Sequence, residues 1–154
     1  MPFPRPVVDI RKVPGDFDAL IDWLEAWSYN LVLLEGYPLP EVQQAVLSVS
    51  AAVRAHRASA DRWLGRTRRD DEEAARGVEL LLSDHVWFST SVEEFLGLLH
   101  VVEGEDQGGH RQALGQYGRI LAEALRRHRR DEKWLEAASH PPPVAGTPRR
   151  SGKP

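Results

Sequence analysis

The 154-residue sequence has no cysteine and a single methionine. Without cysteine there are no disulfides, thiolate metal sites, iron–sulfur clusters or cysteine nucleophiles, and the redox compartment is left open. Lysine is also scarce, and arginine supplies nearly all the positive charge. Long hydrophobic runs are missing. The most apolar stretch, Leu31-Val32-Leu33-Leu34, falls far short of the ~20 residues that cross a bilayer, so no membrane partner is expected. The opening Met1-Pro2-Phe3-Pro4-Arg5-Pro6 lacks the apolar core of a secretory signal, which makes a cytoplasmic location the expectation.

The usual catalytic signatures are missing as well. There is no Gly-x-Ser-x-Gly, no phosphate-binding loop and no Gly-x-Gly-x-x-Gly. Ser83, Asp84 and His85 are consecutive, and consecutive side chains on a helix do not face one another, so they make no triad. Neither Glu-x-x-His nor His-x-x-x-His occurs, which removes the commonest helical metal-binding pairs. The expectation is a protein that is not an enzyme and needs no cofactor.

Two stretches carry apolar residues in 4-then-3 spacing, each interrupted by a histidine. One runs Val42, Val46, Val49, Val53, His56, Ala60, Trp63; the other runs Ala74, Val78, Leu81, His85, Phe88, Val92, Phe95, Leu99, Val102. Such spacing places each set on one stripe of a helix that must be buried against others. With 42% hydrophobic and 28% charged residues and a net charge of −3, the chain reads as one globular domain with no bulk charge bias. The predicted fold is all-α, an antiparallel four-helix bundle of up-down-up-down topology. A proline-rich extended arm (1–15) precedes the helical domain (16–138), and a disordered Pro/Arg tail (139–154) follows it. Val7-Val8-Asp9-Ile10 is expected to lie along the bundle.

Helix 1 is predicted from Asp16 or Asp18, with a core stripe through Phe17, Leu20, Ile21, Leu24, Trp27, Leu31 and Leu34. Trp23, Tyr29, Val32 and Leu33 fall on its other faces, an apolar surplus that suggests pairing of two copies through this helix. Helix 2 runs from Pro40 to about Leu64 and helix 3 from near Asp70 to about Val102. The two stripes are in phase, but Thr67 and Asp71 are poor seam residues, so a turn near 65–70 is preferred to one helix roughly 95 Å long. Helix 4 follows the glycine-rich loop and runs from His110 to Ala138, with His128 on its stripe.

His56, His85 and His128 thus sit on three different seams. At ~1.5 Å per residue they lie roughly 17, 22 and 15 Å from the common end of the bundle, with Trp27 and Asn30 of helix 1 near that level. The preferred reading is a buried polar layer that fixes helix register. The alternative is a three-histidine transition-metal site, with Asp61 and Asp84 the nearest carboxylates, off the stripes. The same topology gathers Arg66, Arg68 and Arg69 with Arg126, Arg127, Arg129 and Arg130 at one pole, a candidate platform for nucleic acid or an acidic protein. The functional expectation is a non-catalytic interaction or assembly protein, homodimeric through helix 1. A polyanion-associated protein and a metal-binding bundle are the alternatives.

Overall fold

A computed structural model of the chain describes residue 9 and residues 12–33, 39–67, 70–102 and 107–139. Among them are four helices and no strand: α1 (Phe17–Leu33), α2 (Leu39–Leu64), α3 (Glu72–Val102) and α4 (Gln107–Ser139). None is long and apolar enough to cross a membrane.

Local chemistry sets the helix starts. Asp16 caps α1: its Oδ2 accepts the Ala19 N–H at 2.9 Å and its carbonyl accepts that of Leu20 at 2.8 Å. Pro40 sits in the first turn of α2, where its missing N–H has no helical partner to lose. The helix 2–3 break is real. Beyond Leu64, tight turns run from Arg66 to the Trp63 carbonyl and from Thr67 to that of Leu64. Asp71 then caps α3, its Oδ1 accepting the Glu73 N–H at 3.2 Å. α3 passes unbroken through Thr90-Ser91, and the hydroxyls of Ser89 and Thr90 bond back to the His85 and Val86 carbonyls. α4 begins at Gln107, three residues before the expected start.

The helices form a ring in which α1 packs chiefly on α4, α4 on α3 and α3 on α2, with a thinner α1–α2 contact closing it. Paired residues run in opposite chain directions across the larger faces. Arg54 meets Glu93 while Asp61 meets His85; Tyr117 meets Glu94 while His128 meets Asp84; Gly115 meets Val32 while Arg129 meets Asp18. These three interfaces are antiparallel. The α1–α4 approach depends on small residues: a Cβ on Gly115 would lie 2.7 Å from Val32 Cγ2 and 2.8 Å from the Ser28 carbonyl oxygen.

Two apolar cores result. The larger holds Leu20, Leu24, Trp27, Val46, Phe95 and Leu121 with their neighbours; the smaller holds Leu64, Val78, Leu81 and Leu135. The smaller core contains residues of α2, α3 and α4 only. α1 starts level with the histidines, while α4 runs on from His128 to Ser139, about 16 Å further. This corrects one expectation. Phe17 and Asp18, not Trp27 and Asn30, stand at the histidine level, because α1 does not reach the end of the bundle from which its height was counted.

The interface residues expected on α1 need correction too. Trp23 is buried, stacked on Trp27 with ring centroids 5.9 Å apart, and its Nε1–H donates to the Asp9 carbonyl at 3.3 Å. Val32 packs on Gly115 of α4. These two side chains are absorbed inside the chain, so the apolar surplus that suggested pairing through α1 shrinks. Tyr29 is half-buried, and the side chain of Leu33 lies outside the described residues. Asp9 holds the arm against the bundle at one point; Val7, Val8, Ile10 and the tail from His140 onward lie outside the described residues.

Candidate metal centre

His56 of α2, His85 of α3 and His128 of α4 converge between the two cores, and α4 adds a fourth group, Glu132. One donor atom from each of the four falls within 4.8 Å of every other. Glu132 Oε1 is 2.6 Å from His56 Nε2 and 2.5 Å from His128 Nε2, and His85 Nε2 is 3.1 Å from His128 Nε2. Side-chain exposure is 2% for His85, 0% for His128, 4% for Glu132 and 17% for His56, so only the His56 edge meets solvent to any extent.

Each buried imidazole is held from behind. His85 Nδ1 bonds Asp61 Oδ1 at 2.6 Å, and His128 Nδ1 bonds Asp84 Oδ2 at 2.9 Å. In both pairs the aspartate comes from the preceding helix in the chain. A carboxylate partner makes Nδ1 the protonated nitrogen and turns the Nε2 lone pair inward. Phe17 stacks on His56 at 3.8 Å with an interplanar angle of 3°, and Phe88 meets His128 edge-on at 5.0 Å. Arg129 takes the other oxygen of Glu132 at 2.9 Å and ties it to Asp18 of α1, leaving Oε1 aimed at the imidazoles.

The electrostatics follow from this arrangement. Two Nε2 lone pairs cannot face each other at 3.1 Å without a proton or a cation between them. In the metal-free protein, a proton on His128 fills that role. Burial opposes its charge, but hydrogen bonds to Glu132 and Asp84 outweigh burial and hold its pKa above the ordinary value. His85 moves the other way: burial pushes it down, more strongly than the Asp61 hydrogen bond raises it. Burial also works against the Glu132 carboxylate, yet bonds from His128 and His56 keep it well below the usual carboxylate range. The immediate charges are three carboxylates (Asp61, Asp84, Glu132) against two guanidiniums (Arg57, Arg129), a balance that the proton on His128 completes.

Sequence reasoning named the three histidines and missed Glu132. The signal was His128-x-x-x-Glu132, an i, i+4 pair on one helix face, in neither of the forms searched for. Asp61 and Asp84 are correctly off the stripes, but from there each reaches the histidine of the next helix as a support.

The arginine pole is partly compensated within the fold. Arg126 bridges Asp22 at 3.0 Å and Glu25 at 2.6 Å, and Arg129 bonds Asp18 and Glu132. Arg127 and Arg130 border an open cleft with Trp87, Ile120 and Glu123. Arg66 is exposed, and Arg68 and Arg69 lie outside the described residues. With two of its arginines engaged by carboxylates, this end is a weaker phosphate platform than its composition suggests.

No protein-family model, curated protein or solved structure matches the chain.

Proposed function

We propose that this protein binds a divalent first-row transition-metal ion through His56, His85, His128 and Glu132. The observation that carries the reading is the convergence of three imidazole nitrogens and one carboxylate oxygen, from three helices, within 4.8 Å. The aspartates behind His85 and His128 strengthen it, because such partners orient metal-bound imidazoles and raise their basicity. Three nitrogens and one oxygen form a donor set that suits zinc, iron, cobalt, nickel or copper rather than magnesium or calcium. The competing polar-layer reading needs one polar contact per helix to fix register. It gives no reason to bury two imidazoles and a glutamate, with an aspartate behind each imidazole, at a desolvation penalty of several kcal/mol.

The test uses untagged protein, purified without chelator and then stripped. Elemental analysis should find about one transition-metal ion per chain before stripping. One equivalent of zinc should raise the melting temperature of the stripped protein, and zinc at about 100 times its Kd should add ~2.7 kcal/mol of stability. His85→Ala and Glu132→Gln should remove most of that gain. A stripped protein whose melting temperature ignores zinc, cobalt, nickel and iron refutes the reading.

An assembly role is a second reading, favoured by Leu80, Trp87, Ile120 and Trp134, which are large, exposed and carried by α3 and α4. Pairing would then use that side rather than α1. Light scattering of Trp87→Glu/Ile120→Glu against the natural chain decides it, and a monomer at high concentration in the natural chain refutes it.

A further inference from the structure

The centre lies beside a pocket of about 340 Å³. Phe17, His56, Ser59, Trp63, Glu132 and Glu136 are among the residues that line it. It stands where α1 begins and the bundle passes from four helices to three. The inner pair, His85 and His128, is closed off by Asp61, Asp84 and Phe88. Of the four candidate ligands, His56 and Glu132 alone border the pocket. An ion held by the four would therefore have its exchangeable coordination position on this side.

We infer that this pocket is a small-molecule site whose occupant completes the ion's coordination shell; the inference rests on the metal reading above. The lining defines the chemical class of the occupant. Two aromatic side chains, Phe17 and Trp63, offer a flat apolar body a place to lie. Arg129 also borders the pocket, but Asp18 and Glu132 already engage its guanidinium, so it is poorly placed to bind an anionic group. Glu136 has no partner among the described residues and stands one helical turn beyond Glu132, where it can accept a hydrogen bond. The volume falls in the lower range of small-molecule sites. The matching ligand is a small aromatic acyl compound that gives a carbonyl oxygen to the ion and an adjacent N–H or O–H to Glu136.

Cobalt(II)-loaded full-length protein provides the test, because the visible absorption of the ion reports changes in its coordination. Benzohydroxamic acid and acetohydroxamic acid are the probes: both carry the oxygen donor and the N–H, and only the first carries the ring. Benzohydroxamic acid should shift the cobalt bands and bind about tenfold or more tighter than the methyl analogue, as burial of a phenyl ring implies. Glu136→Gln should weaken it roughly tenfold, the expected loss of a charge-assisted hydrogen bond, with cobalt affinity unchanged. Ser59→Trp fills the pocket from the exposed side of α2 without replacing a candidate ligand, and should abolish the preference for the ring. Cobalt bands that ignore both hydroxamates overturn this inference and leave the metal reading standing. Equal binding of the two probes, unaffected by Ser59→Trp, overturns it as well. Failure to take up cobalt or any other transition ion refutes the metal reading itself.

Discussion

Replacing Asp84 by asparagine separates a metal centre from a register layer, because the two assign different work to one hydrogen bond. Asp84 Oδ2 accepts from His128 Nδ1 at 2.9 Å, and its side chain is about one-third exposed. Asparagine keeps the shape and can still offer a carbonyl oxygen, but it loses the charge. If His128 is a metal ligand, loss of its carboxylate support should weaken metal affinity about 10- to 100-fold. That corresponds to ~1.4–2.7 kcal/mol at a fixed saturating zinc concentration. For a chain of this size the zinc-induced rise in melting temperature should shrink by roughly 3–10 °C. The stripped protein should also lose about 1–3 kcal/mol, because there the same carboxylate supports the His128 imidazolium, so the metal reading adds its loss on top of this one and only with zinc present. If the cluster is only a polar layer, the imidazolium between Asp84 and Glu132 is a structural ion. The substitution then destabilises the stripped protein by about 1–3 kcal/mol, the range for losing a hydrogen bond to a charged group. Zinc makes no difference in that case. The assay is thermal unfolding of both proteins, stripped and with zinc in excess. Equal loss with and without zinc refutes the metal assignment.

Other expectations follow from the packing around the centre. The Tyr117 hydroxyl is pushed up to about 12, first by burial and then by its hydrogen bond to Glu94 at 2.5 Å. The fold favours the neutral phenol, so this stabilisation is complete below about pH 10 and is lost as pH rises from there through about 12. An ultraviolet titration should show a late-ionising tyrosine that Tyr117→Phe removes; ionisation of every tyrosine near pH ~10 in folded protein contradicts this. Gly115→Ala gains ~1 kcal/mol of helix propensity but drives a methyl against Val32 and the Ser28 carbonyl, and should be net destabilising by about 1 kcal/mol or more. Gly97→Ala meets nothing within 4 Å and should stabilise by about 0.4–1 kcal/mol. Urea unfolding of the two variants should move their midpoints in opposite directions.

The parts that were legible in the sequence are those governed by periodicity and local caps. Stripe spacing placed Val42 to Trp63 and Ala74 to Val102 on buried helix faces, and most of those residues lie in the two cores. Asp16 supplied a recognisable start, and the poor seam residues Thr67 and Asp71 made a turn after Leu64 readable despite in-phase stripes. The three histidines could be brought to one level because rise per residue is nearly constant. What could not be read was where α1 enters relative to its neighbours. That depends on Gly115 and Gly118 bringing α1 and α4 close at one register, a contact set by shape rather than by spacing. The same limit hid Trp23, which lies off the main stripe yet is covered by the arm through its bond to Asp9. Glu132 was hidden for a different reason. A glutamate beside several arginines reads as a surface ion pair until the helix's rotation is known, and in the fold one of its oxygens does pair with Arg129.

The late entry of α1 links the architecture to the chemistry. A bundle with four full-length helices would bury the histidine level completely, and an ion there would serve structure alone. Here α1 begins with Phe17 stacked on His56 and Asp18 holding Arg129 and Lys133. The first turn of α1 thus forms the rim of the centre and fixes the arginine that orients Glu132. Among the described residues the smaller core is closed by three helices, on Leu64, Val78, Leu81 and Leu135, all at most 1% exposed. That core secures the lower halves of α2, α3 and α4, so the four candidate ligands are clamped from above and below while one side faces the pocket. A site that must hold an ion rigidly and exchange a fifth ligand needs both properties. If the ion is structural only, lengthening the N-terminal end of α1 to cover the pocket should leave metal affinity and metal exchange rate unchanged. If the pocket is the route to the ion, the covered protein should exchange metal far more slowly at similar affinity. Chelator-driven release of cobalt from the two proteins measures that difference directly.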